Sequence, residues 1–279
     1  MIENSFLLEW RQYAPWRLDS QVEQDLVLSR ALTEIFSDDF LSNEVALRGG
    51  TALNKLFLKK NLRYSEDIDL VRTKAEKAKP VISAIQKRLD SWLGKPSINQ
   101  KTASVTIIYR FNSSSTPITP SRLKIEMNTR ESKPFLNHIE KDFSVKSRWF
   151  SGEAKIKTFE LEEMLGTKLR ALYQRKKGRD LLDFDYVFRE FPGLDAKRII
   201  SAFHNYLQRE DLKVSRAEFE ANLFNKMQDK KFLGDIASVI LDNAGFNAQA
   251  AYSLVMEKFA PHLLGEPWRG HPDSKKRGR

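Results

Sequence analysis

The stretch spanning residues 45–72, VALRGGTALNKLFLKKNLRYSEDIDLVR, constrains the fold more than any other part of the chain. Residues 45–47 form a short apolar strand, Gly49-Gly50-Thr51 follows, and residues 52–58 have the pattern of an amphipathic helix. A basic loop with Lys59, Lys60 and Arg63 then leads into Ser65-Glu66-Asp67-Ile68-Asp69-Leu70. Strand side chains alternate faces, so Asp67 and Asp69 point one way while Ile68 and Leu70 point into a core. Two carboxylates one strand repeat apart, fixed by buried neighbours, make a hard-oxygen pair suited to Mg²⁺ or Mn²⁺. Glycines let backbone N–H groups approach an anion, and a helix N-terminus behind them favours negative charge. The spacing of a Walker P-loop is absent. Alone, an Asp-x-Asp is often a surface feature and a Gly-Gly a tight turn; their order here is the informative part. A phosphate cradle beside a metal dyad is the minimal apparatus for moving a nucleotide.

The rest of the chain sets the class. Its 279 residues suffice for one large domain or two small ones. With 47 Lys+Arg against 37 Asp+Glu the net charge is +10, which suits a polyanionic partner such as RNA. There is no cysteine, which excludes disulfides, thiolate metal sites and a cysteine nucleophile. No apolar run approaches the roughly 20 residues of a membrane span. The first residues, MIENSFLLEW, lack the long apolar core of a secretory signal, so a cytoplasmic protein with no membrane partner is expected. The four histidines are scattered without ligand spacing, and the five tryptophans show no paired stacking motif.

In chain order, helical periodicity covers residues 18–37 and 79–93, the second with Pro80 in its first turn and Gly94 behind its end. Residues 104–111 are a β-branched and aromatic strand, and 112–120 a turn by composition. In 122–128, RLKIEMN, Leu123, Ile125 and Met127 share one face and Lys124, Glu126 and Asn128 the other. An antiparallel pairing with the Asp-x-Asp strand would let Glu126 reach Asp67 and Asp69; the other reading is a solvated Lys/Glu strand face. Short strands over 143–150 and 154–159 close this half. A few strands interleaved with helices predict an α+β sheet domain over residues 1–150. From Glu160 the pattern turns helical, giving a second domain over 151–264 and a basic, disordered tail over 265–279 with an RNA-contact role left open. Lys168 and Arg175 fall on one side of the helix 160–175. Gly178 breaks that helix, and Asp180 and Asp183 lie i, i+3 on the next. The basic face and paired acids could hold a triphosphate and a metal, or Arg179 and Asp183 could form a surface pair of little energetic weight. Further helices are expected over 195–209, 215–228, 231–243 and 248–260.

Gly-Gly-Thr-Ala-Leu at 49–53, followed by a helix and Ser-x-Asp-Ile-Asp at 65–69, resembles the signature of the AbiEii/AbiGii-type nucleotidyltransferase toxins, which belong to the polymerase-β-like nucleotidyltransferases. A second segment is similar to theirs at Lys168, Leu169, Ala171, Leu172, Arg175, Arg179, Asp180, Leu181 and Asp183, with Met164 where the family carries leucine. The resemblance implies a polymerase-β-like sheet domain with a helical C-terminal half closing over it. It implies Asp67 and Asp69 as metal-binding catalytic carboxylates, Glu126 as the third, and Lys168 and Asp183 as functional groups. Asp180 inherits a role less directly. Gly49, Gly50, Thr51, Ser65, Lys168, Arg175 and Arg179 become the nucleotide-binding set. The implied activity is transfer of NMP from an NTP to an RNA acceptor, the tRNA 3′ end, blocking translation, with a cognate antitoxin as partner. Two alternatives remain at this stage: a nucleotidyltransferase acting on a small molecule or a protein hydroxyl, and an inactive binding module.

Overall fold

The computed structural model describes residues 2–59, 63–114, 118–241 and 245–270. Lys60, the middle of the 112–120 turn at 115–117, and the end of the basic tail at 271–279 with His271 lie outside the described residues. The chain divides into two units, Met1–Glu160 and Leu161–Arg279.

The first unit is built on a seven-stranded sheet. Helices α1 (Asn4–Trp10), α2 (Asp19–Phe36) and α3 (Asp39–Glu44) lead into β1 (Val45–Arg48). A turn of helix, α4 (Gly49–Ala52), continues as a π-helical turn, Leu53–Phe57. Then come β2 (Asp67–Arg72), α5 (Lys79–Leu93), β3 (Ser97–Gln100), β4 (Ser104–Asn112), β5 (Pro120–Asn128), β6 (His138–Lys146) and β7 (Ser151–Phe159). The strand order is β3-β4-β5-β2-β1-β7-β6, which puts β2 at the centre. The alternation read from the sequence holds on β2, where Ile68 and Leu70 are buried and Asp67 and Asp69 are half-buried. Val105, Ile107 and Tyr109 of β4 and Leu123, Ile125 and Met127 of β5 extend the buried face. Helix α2 packs on β5, β7 and α5 and is buried on most sides, the polar Glu23, Gln24 and Asp25 included.

Two expectations are corrected. The strands β2 and β5 pair in parallel, not antiparallel. Their connection contains α5 and the β3–β4 strands, long enough for the crossover that parallel neighbours need. The segment expected as an ordinary helix over 52–58 starts at Gly49 and widens into a π turn, closed by the Leu58 N–H donating to the Leu53 carbonyl at 3.0 Å. Helices α1 and α3 and the short exposed strand β3 carry patterns too brief to read from periodicity.

The second unit holds α6 (Leu161–Gln174), α7 (Arg179–Glu190), α8 (Ala196–Gln208), α9 (Arg216–Met227), α10 (Lys230–Ala237) and α11 (Ala248–Phe259). Sequence-local caps start several of them. Asp195 accepts from the N–H groups of Lys197 and Arg198, Asp229 from Lys231 and Phe232, and Ser215 forms a capping box with Glu218, satisfying donors that a helix start leaves open. Leu165, Leu169, Phe184, Tyr186, Phe203, Phe219 and Phe259 form its buried interior.

In the sheet unit a buried ion pair staples the outer end of the β1–β2 ladder. Arg72 Nη2 donates to Glu44 Oε2 at 2.8 Å with both side chains buried, and Arg72 Nη1 donates to the carbonyls of Glu76 and Lys77. Removing one partner strands a buried charge, at about 3–5 kcal/mol. Glu44→Ala should therefore lower unfolding free energy by about that much, whereas a Glu44→Ala/Arg72→Met double replacement should recover most of it. Denaturant titration of the three proteins checks this.

Candidate active site

Asp67 and Asp69 stand in register with Lys124 and Glu126 across the parallel β2–β5 pair. The four side chains therefore share one face of the central sheet, three acids and one base. Glu126 thus lies beside the Asp pair as expected, by a different pairing from the one foreseen. Lys124 Nζ bridges Glu126 Oε1 at 2.6 Å and Asp67 Oδ2 at 3.3 Å. Partial burial works against its charge, but Glu126 and Asp67 outweigh that and hold the ammonium above its ordinary range. The other oxygen of Asp67, Oδ1, is buried with no hydrogen-bond partner among the described residues. A buried carboxylate oxygen left without a donor is costly unless a cation meets it.

The glycine turn comes against this face. Gly49 has φ +80°, a conformation other residues adopt only under strain, and a Cβ on it would overlap Oδ2 of Asp69. A Cβ on Gly50 would overlap the Arg63 guanidinium, which is buried and donates through Nη1 to the Tyr64 carbonyl at 3.0 Å. The Thr51 hydroxyl is buried, within 2.8 Å of Ser65 Oγ and 2.5 Å of the Asp67 carbonyl oxygen, to which it donates. Thr51 and Ser65, read from the sequence as nucleotide ligands, here clasp the start of β2 to the glycine turn.

Asp67 and its strand neighbour Asp69 fit a divalent cation, because the orphaned Oδ1 and the pair's hard oxygens offer what such an ion takes. Among the described residues no group of three His, Cys, Asp or Glu side chains converges tightly enough to hold a metal ion. Lys124, standing between Asp67 and Glu126, already supplies one positive charge there.

In the helical unit, Lys168, Arg175, Asp180 and Asp183 do converge. Lys168 Nζ lies 2.6 Å from Asp183 Oδ2 and 3.2 Å from Asp180 Oδ1, with all three side chains buried. Arg175 Nε and Nη2 donate to the two oxygens of Asp180 at 2.7 and 2.8 Å. Asp183 is therefore no member of a surface pair. Arg179 is engaged elsewhere: Nε and Nη2 fork onto Asp235 at 3.0 and 2.8 Å, and its backbone N–H donates to the same carboxylate at 3.1 Å.

Two partners were missed by sequence reasoning, because their contacts are remote in the chain. Asp235 is one. Lys226 is the other: its buried ammonium donates to the carbonyls of Leu172 and Tyr173 at the end of α6. Burial pulls Lys226 down to about 8, with Asp180 opposing the shift and Lys176 adding to it. No local pattern marks either residue.

Two outcomes follow from this geometry. Gly49→Ala must move the Asp69 carboxylate, and any reaction that depends on the Asp67–Asp69 pair should fall at least about 100-fold, the scale expected when a positioned group is displaced by an ångström. Circular dichroism should show the fold retained. The second outcome concerns Asp235. Burial pushes its carboxyl up, but Arg179, through side-chain and backbone hydrogen bonds and charge, and Lys177 bring it down to about 2. With the folded pKa below the unfolded one, the stabilisation is complete above about pH 4 and is lost as pH falls toward 2. Asp235→Asn should lower the Tm at pH 7, and the two melting curves should converge near pH 2.

Comparison with known proteins agrees with this architecture. The family model described as "Nucleotidyl transferase AbiEii toxin, Type IV TA system" matches residues 30–251. A search of curated proteins gives no significant match. Among solved structures, JHP933 from Helicobacter pylori superposes with a TM-score of 0.56 at 16% identity, covering 88% of this chain and 93% of its own. The nucleotidyltransferase toxin MenT4 from Mycobacterium tuberculosis gives 0.54 at 14% identity, covering 91% of this chain and 99% of its own. At such identities the superpositions speak to the fold. The family match covers most of the sequence, and the chain belongs to the AbiEii nucleotidyl transferase toxins of type IV toxin–antitoxin systems.

Proposed function

We propose that this nucleotidyltransferase is metal-dependent and transfers NMP from an NTP to RNA, at the tRNA 3′ end, and so blocks translation. The observation that carries the reading is the Asp67–Asp69 pair on the central strand, pressed against the glycine turn and with one buried oxygen left for a cation. Asp67 and Asp69 would hold Mg²⁺ or Mn²⁺, which when bound lowers the pKa of an attacking hydroxyl and stabilises the pyrophosphate leaving group. The hydroxyl oxygen of the acceptor gives up its proton to solvent water and forms a bond to the α-phosphorus, the bond to the α,β-bridging oxygen breaks, and pyrophosphate departs with that bond's electron pair. Backbone N–H groups of the Gly49–Gly50 turn suit the triphosphate. Thr51 acts on Asp67 by fixing its backbone rather than on phosphate. The family resemblance gives Lys168 the task of countering charge on the transferred group, with Asp183 holding its ammonium in place.

An RNA acceptor is supported by the net charge of +10. A cognate antitoxin is the partner that a type IV system supplies. No described helix is long and apolar enough to cross a membrane, which accords with action in the cytoplasm.

The test is transfer of label from each α-labelled NTP to total tRNA, beside the Asp67→Asn variant. Label on tRNA from one nucleotide, lost in the variant, is the expected result, and the rate should drop steeply between about 50 and 200 mM salt. Transfer undiminished in Asp67→Asn would remove the dyad from the chemistry. Label on a small molecule or a protein in place of RNA would remove the acceptor assignment.

A further inference from the structure

The antiparallel β4–β5 ladder places Arg110 directly opposite Arg122. Opposed residues project from the same face, and like charges facing each other in this way destabilise a sheet. The pair therefore stands where an anion between the two strands would relieve it. Arg110 Nη1 donates to Ser97 Oγ at 2.9 Å, while the Arg122 guanidinium makes no hydrogen bond or ion pair among the described residues. Both arginines line a cleft of about 680 Å³ in the sheet unit, a volume in the range of ligand sites. Among the described residues on its wall Glu66 is the one carboxylate, against two guanidinium groups.

Position along the sheet argues for what the anion is. Arg122 precedes Lys124 by two residues, so it shares the face of Lys124 and Asp67 and lies about 6.6 Å farther along the strand. The strand order β4-β5-β2-β1 puts the Asp67–Asp69 pair between two flanks. On the β1 flank is the glycine turn, suited to the donor triphosphate. The β5 and β4 flank carries the arginines. An acceptor that brings a hydroxyl to the dyad from that second flank must lay its own backbone across Arg122 and Arg110.

We propose that Arg110 and Arg122 clamp a backbone phosphate of the RNA acceptor next to the nucleotide whose hydroxyl is extended. The proposal rests on the reading that the acceptor is RNA. Planar, forked guanidinium groups match a phosphodiester's two free oxygens. Both side chains are exposed, so replacing them leaves the core untouched.

The experiment compares wild type with an Arg110→Gln/Arg122→Gln double variant. Anisotropy of a labelled oligoribonucleotide with an unpaired 3′ end is followed at several salt concentrations, and binding of a non-hydrolysable NTP with Mg²⁺ is followed by calorimetry. The variant should bind the RNA at least about 10-fold more weakly, and its slope of log K against log salt should be shallower by about one. Its NTP affinity should be unchanged, and its Tm without RNA should be equal or higher, since the like-charge pair is gone. Unchanged RNA affinity and slope would overturn the clamp while leaving the RNA acceptor standing. Lost NTP binding would overturn it in favour of a triphosphate contact, and a lowered Tm with normal RNA binding would make the pair structural. Wild type failing to bind the RNA would overturn both the clamp and the acceptor assignment.

Discussion

Everything assigned to the sheet unit depends on the close approach of Asp69 to Gly49. A side chain as small as methyl at Gly49 would collide with the carboxylate, so strand and turn can meet only where glycine stands. Thr51 reinforces the meeting from the next position, joining the Asp67 carbonyl and the Ser65 hydroxyl. Both carboxylates thus sit on a backbone gripped from β1, β5 and the turn at once. Such over-determination keeps the two carboxylates in place whether or not an ion is bound, as the proposed metal site requires.

The grip extends further through one buried acid. Asp25 on α2 accepts from the indole N–H groups of Trp10 and Trp16 at 2.9 and 3.2 Å, and Lys55 Nζ donates to both of its oxygens at 2.7 and 2.8 Å. Lys55 lies in the π turn that follows the glycines. The N-terminal segment, the central helix and the glycine turn are in this way joined at a single carboxylate. Pi-helical turns concentrate at functional sites because the widened backbone re-aims neighbouring groups. Here the widening lets Lys55 reach back to α2 while Asn54 donates to the Gly50 carbonyl at 2.8 Å.

The parts of this site legible in the sequence were those with a local rule. The two-residue alternation of 67–70 and the paired glycines needed only neighbouring residues to interpret, and the buried apolar face of β5 followed from the same alternation. Contacts between distant residues had no such rule. Arg63 reads only as part of a basic loop in the sequence, and it is buried over Gly50. Arg179 matched a family motif, yet its fork grips Asp235 across the helical unit. Lys124 shares its strand face with Glu126 in the sequence, and the parallel register brings it beside Asp67 as well. Direction of pairing was the deciding unknown, because a sequence fixes which face a side chain takes but not which strand arrives beside it.

The central claim is that Asp67 and Asp69 hold a metal-bound nucleotide. Calorimetric titration with a non-hydrolysable NTP, with and without Mg²⁺, for wild type, Asp67→Asn and Asp69→Asn tests it most directly. Heat that requires Mg²⁺ and disappears in both variants is the predicted result. Equal binding without Mg²⁺, or in either variant, would contradict it.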